Sequence, residues 1–126
     1  MKRHSAREKA FQILFQLDIN DNDPEKAIED HLETMEIDTF LLSLVQGVAE
    51  HKEAIDNTIT DHLENWSFSR IASVEKTILR IAIYEIRYVQ DIPTSVSINE
   101  AVELANTYGD EKAGKFVNGV LSKIIA

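Results

Sequence analysis

The stretch from Ser73 to Val89, SVEKTILRIAIYEIRYV, is apolar around most of its circumference when wound as a helix. At a step of about 100° per residue, Val74, Ile78, Leu79, Ile81, Ala82, Ile83, Ile86 and Val89 span an arc of roughly 200°. Lys76, Arg80, Tyr84, Arg87 and Tyr88 are left for the remaining strip. A surface helix buries a narrower stripe, so this segment requires neighbours on two sides and is the expected central helix. Two carboxylates, Glu75 and Glu85, fall inside the apolar arc, where an unpaired charge is costly. For Glu85 this predicts a hydrogen bond or ion pair between helices. Glu75, at the helix end, has a second reading, contact with a basic partner protein.

The flanking segments are helical too. Residues 3–18 place Ala6, Ala10, Ile13, Leu14 and Leu17 on one face at spacings of three and four. Phe11 and Phe15 point away from that face, on the side of Arg7, and Lys2, Arg3, His4 and Lys9 are close in sequence. Basic residues interleaved with aromatics can hold phosphates while bases stack on the rings. The competing reading packs both rings against another helix or hides them in a homodimer. Asp23 and Pro24 open a second helix running to about Met35, and Asp38 caps a third segment ending near Asn65. Along the third, Leu41, Val45, Val48, Lys52, Ile55, Ile59, His62 and Trp66 form a packing seam, with Lys52 and His62 at its wet edge and Gly47 as a place to bend.

Ser73 is the expected cap of the central helix, and Pro93 ends it. Ser97 and Glu100 fit a capping box for the next helix, which Gly109 stops. Asp110 then caps a last helix with the stripe Ala113, Phe116, Val117, Val120, Leu121 and Ile124; Lys112, Lys115, Asn118 and Ser122 lie opposite. Gly119 inside that helix costs about 1 kcal/mol relative to alanine, which suggests a close backbone approach, with simple tolerance of the glycine as the competing reading. No strand pattern or internal repeat competes with this all-α account.

The charge is unevenly spread. The 126 residues carry a net charge of −9, which on its face argues against a nucleic-acid partner. Yet Asp18 to Glu64 holds 14 acids against two bases, whereas the rest of the chain holds 11 bases against eight acids. The acidic excess is regional, a solvated face in its plainest reading, and the ends are basic. The length suits one domain. The chain has no cysteine, so there is no disulfide or thiolate metal site, and with no visible signal or spanning segment a soluble cytoplasmic protein is expected.

Catalytic and cofactor sites find no support. Gly109, Gly114 and Lys115 match the spacing of a phosphate-binding P-loop, but a helix precedes them and Phe116 stands where the magnesium-binding hydroxyl belongs. His4, His31, His51 and His62 form no two-histidine helical metal motif. No serine sits in a nucleophile elbow. No enzyme activity, metal or cofactor is expected.

VEKTILRIAIYE (Val74 to Glu85), Ile92-Pro93, SINEAVELA (Ser97 to Ala105) and KFVNGVL (Lys115 to Leu121) together resemble the NusB family of bacterial transcription antitermination factors. The resemblance is close in the C-terminal half and looser in the N-terminal half. It implies one all-α domain over 1–126, a NusB-like helical bundle of two small subdomains, an N-terminal lobe over about 1–66 and a C-terminal lobe over about 67–126, with about six to seven helices. It implies a non-catalytic factor that binds boxA RNA of nascent rRNA transcripts with NusE, a ribosomal small-subunit protein, and joins NusA, NusG and RNA polymerase. Carried over by position, RNA-binding residues are Lys2, Arg3, Arg7, Phe15, Tyr108, Lys112, Lys115 and Phe116, and Glu75 faces NusE. His4 and Ser5 stand where some relatives have a denser basic run. Two alternatives stay open: a protein-only adaptor, and a stand-alone relative of the RNA-binding domain of an rRNA cytosine methyltransferase.

Overall fold

In a computed structural model, residues 1–20, 23, 26, 29, 30 and 38–126 are described. They form five α-helices: α1 (Arg3–Asn20), α2 (Thr39–Asp61), α3 (Ser73–Tyr88), α4 (Thr94–Tyr108) and α5 (Ala113–Ile125), with one 3-10 turn at Phe68–Arg70. There is no strand among the described residues. The expected second helix, about 24 to 35, lies almost wholly outside them; within it, Lys26, Glu29 and Asp30 are helical. No helix among the described residues is long and apolar enough to cross a membrane.

The wide apolar arc does organise the molecule, because α3 packs against α1, α2, α4 and α5. Its burial exceeds the expectation. Every residue from Thr77 to Glu85 is buried, including Arg80 and Tyr84 from the strip outside the apolar arc. Ile78, Leu79 and Ile83 are fully enclosed, each contributing about 1.5–3 kcal/mol relative to exposure. Arg80 is held by a fork: its Nε and one terminal nitrogen donate to the two Asp56 oxygens at 2.8 and 3.0 Å, and the other donates to Asp18 at 3.2 Å. Burial alone would lower its pKa, but the Asp56 and Asp18 carboxylates outweigh it and hold the guanidinium above its ordinary value. A periodicity count cannot see that two acids from α1 and α2 meet this arginine.

Several local expectations change for similar reasons. Asp38 caps α2 as predicted, accepting from the Leu41 N–H at 2.9 Å, but α2 ends at Asp61 and Trp66 lies outside the seam, exposed. At Gly47 the backbone is approached by the Tyr84 ring, so glycine here makes room for a neighbour within a helix that runs on through it. Gly119, by contrast, has nothing near the position of a Cβ, which removes the expected close approach. The capping box is overturned: α4 starts at Thr94, directly after Pro93, and Ser97 is already inside the helix. Its hydroxyl donates to Glu85 at 3.0 Å, and Glu100 turns to His4.

Candidate nucleic-acid interface

α1 buries Ala6, Ala10, Ile13, Leu14 and Leu17 as its pattern predicts, and also Arg7 and Phe11. Arg7 therefore departs from its expected place on an RNA surface. Its side chain is 3% exposed and Glu85 is 1% exposed. Arg7 Nε and one terminal nitrogen donate to Glu85 at 2.9 and 2.8 Å, and the other lies 3.8 Å from Glu100. The carboxylate that needed a partner inside the apolar arc has found it 78 residues away. A bidentate arginine in this setting is locked by geometry as well as charge, and its planar group also lies 5.3 Å from the centre of the Phe40 ring.

The other predicted residues fall into three groups. At the start of α1, Lys2 and Arg3 are exposed; Arg3 lies over Phe40 at 4.7 Å and reaches Asp91 at 3.4 Å. Further along, Phe15 is half-buried and stacks on Phe11 at 5.5 Å, and Phe11 meets Tyr108 at 4.8 Å. Gln12 Nε2 donates to the Tyr108 hydroxyl at 3.2 Å. This joins α1 to the end of α4 and places Phe15 and Tyr108 in one aromatic cluster. Arg3 and Phe15 are about 18 Å apart along the helix at 1.5 Å per residue, so a ligand touching both must be extended.

The third group is at the start of α5. Lys112 and Lys115 are exposed and Phe116 is half-buried. Lys112 and Phe116 share a cleft of about 260 Å³ with Trp66, Arg70, Glu75 and Asp110. Among the described residues, the side chains of Lys2, Lys112 and Lys115 make no ion pair. Glu75 stands at the cleft with its pKa raised, first by burial and then by the Asp110 charge, against a hydrogen bond from the Ala72 backbone that lowers it. A carboxylate kept uncomfortable in this way gains from an arriving cation.

Phe40, beneath Arg3, and Gln12 were not evident as parts of these groups from sequence. Each owes its place to a contact across helices, for which spacing along one helix carries no signal. His4 Nδ1 lies 2.7 Å from Glu100 and 3.9 Å from Glu103. One atom of each of these three lies close enough to the others to hold a cation. The Glu100 hydrogen bond and charge raise the His4 pKa, with Glu103 and Glu8 adding to it against partial desolvation, and a protonated ring cannot ligate.

Comparison with known proteins gives the family of the chain. A transcription antitermination protein NusB of Oceanobacillus iheyensis is 64% identical over 126 residues, covering 100% of both chains. The solved structure of T. maritima NusB superposes with a TM-score of 0.88 at 37% identity, covering 98% of this chain and 90% of that one. A crystal structure of antitermination factors NusB and NusE in complex with dsRNA superposes with a TM-score of 0.83 at 34% identity, covering 98% of this chain and 97% of that one. The family model described as NusB family matches residues 4–126, and on all these grounds the chain belongs to the NusB family.

Proposed function

We propose that the chain is a non-catalytic, RNA-binding transcription antitermination factor that binds boxA RNA of nascent rRNA transcripts together with NusE, within a larger assembly containing NusA, NusG and RNA polymerase. The observation that carries this reading is the likeness, over nearly the whole of both chains, to a NusB seen with NusE and RNA. Lys2, Arg3, Lys112 and Lys115 neutralise phosphates, while Phe15, Tyr108 and Phe116 offer ring surface to unpaired bases. Arg7 is a positioning residue: it fixes α1 against α3 through Glu85, and so sets where Lys2 and Arg3 stand. Glu75 meets a basic group of NusE.

The test is binding of a labelled boxA RNA over a salt series, with and without NusE. Affinity is expected to fall as salt rises and to increase when NusE is present. Lys115→Glu should weaken RNA binding and flatten the salt dependence by about one phosphate contact. Glu75→Lys should abolish the gain from NusE without weakening RNA binding by the chain alone, since it replaces a charge that repels phosphate with one that attracts it. An RNA affinity indifferent to salt and to Lys115 sinks the proposed surface.

A further inference from the structure

Trp66 is the single tryptophan of the chain, and it is 55% exposed. Tryptophan is highly buried on average, so this placement calls for a cause. α2 stops at Asp61 with His62 as its C-cap, and Asn65 has a φ of 63°, the left-handed conformation that asparagine tolerates best among non-glycine residues. The backbone therefore turns directly before Trp66 and carries it off the helical seam. Its indole and the Phe116 ring form an edge-to-face pair, with centroids 6.2 Å apart and planes at 63°. In such a pair each ring keeps at least one face clear of its partner.

The two rings sit between two clefts. One holds Arg70, Glu75, Asp110 and Lys112. The other, about 250 Å³, holds Glu64, Lys115 and Lys123. In the second, Glu64 is engaged by Lys123 at 3.0 Å, and the Lys115 side chain has no ion-pair partner among the described residues. The first contains two carboxylates that repel phosphate. Charge thus favours an anionic ligand on the Lys115 side and a neutral, flat one against the rings, the two halves of an unpaired nucleotide.

We propose that Trp66, with Phe116, is a base-stacking platform for single-stranded RNA whose phosphate is held by Lys115. This rests on the RNA-binding reading above and adds to it a residue from the connector between α2 and α3. The platform tolerates any base, since every base has a π-face, and Lys115 supplies the only sequence-independent charge it needs.

Because Trp66 is the sole tryptophan, its emission reports on this place alone. Titration with a short single-stranded boxA RNA should quench that emission in step with the anisotropy of the labelled RNA. Trp66→Ala should weaken binding about 5- to 150-fold, the loss of one base stack, with an unchanged salt dependence, and Trp66→Phe should recover most of it. Circular-dichroism melts of both variants show whether the fold is kept, and the wild-type quench tests the platform even if they do not fold. If RNA binds and Lys115→Glu weakens it, yet the emission stays constant and Trp66→Ala binds like the parent, the platform is wrong and the RNA reading stands. If emission responds to NusE and not to RNA, Trp66 is a protein contact and the inference fails. If no RNA binds at low salt, with or without NusE, the reading beneath it fails as well.

Discussion

Arg7 carries a positive charge at a place where the sequence suggests phosphate, and the structure gives it a different task. Glu85 lies in the most apolar stretch of the chain, and desolvating a lone carboxylate there is opposed by several kcal/mol. The Arg7 fork and the Ser97 hydroxyl together satisfy it, and among the described residues no buried side-chain nitrogen or oxygen lacks a partner. Removing only the cation exposes the cost. Arg7→Met is expected to destabilise the protein by about 3–5 kcal/mol, read from urea denaturation. The double variant Arg7→Met with Glu85→Leu should recover most of the loss, since an apolar pair needs no compensation. It should also bind RNA like the parent chain, because a buried guanidinium cannot reach a phosphate. A double variant as unstable as the single one would show that the ion pair is not what holds α1 to α3.

At the level of elements, what was legible in the sequence is what depends on one helix at a time. The apolar arc of α3, the stripe of α5 and the Asp38 cap of α2 follow from spacing alone. What was illegible depends on two elements meeting. The start of α4 could not be placed by its Ser97 and Glu100 pattern, because Glu85 and His4 from other helices claim those side chains. Trp66 continued the α2 seam in register, but the helix ends before reaching it. Two of the helical glycines, Gly47 and Gly119, differ in the same way. Gly47→Ala in α2 would push a methyl into the buried Tyr84 ring, whose hydroxyl is tied to Ser43 at 3.2 Å, and overpacking of this kind costs about 1–3 kcal/mol. Gly119→Ala in α5 meets nothing and should stabilise by about 1 kcal/mol through helix propensity. Urea midpoints of the two variants should therefore move in opposite directions; a rise in both would contradict the packing at Gly47, and a fall in both the open space at Gly119.

For the molecule as a whole, the uneven charge makes stability depend on pH through a joint between α1 and α4. The chain carries 22 acids against 13 bases, so raising the pH generally increases self-repulsion. His4 adds a specific contribution. Its pKa is raised above 6.5, chiefly by the hydrogen bond and charge of Glu100 on α4, with Glu103 on α4 and Glu8 on α1 contributing. A histidine whose pKa is higher in the folded state stabilises that state fully below the unfolded value, and the contribution disappears as pH rises through the folded value. The window thus opens near 6.5 and extends upward to the folded pKa. His4→Gln cannot take up that proton. The parent chain should be more stable than this variant at pH 5.5, and the difference should shrink steadily toward pH 8.5. Melting curves of the two proteins at a series of pH values give the comparison, and NMR titration of the His4 ring gives the folded pKa directly. A constant difference across the series would mean that His4 contributes packing rather than charge. A shrinking one would mean that the basic start of α1, with Lys2 and Arg3, is held against α4 more loosely as the pH rises.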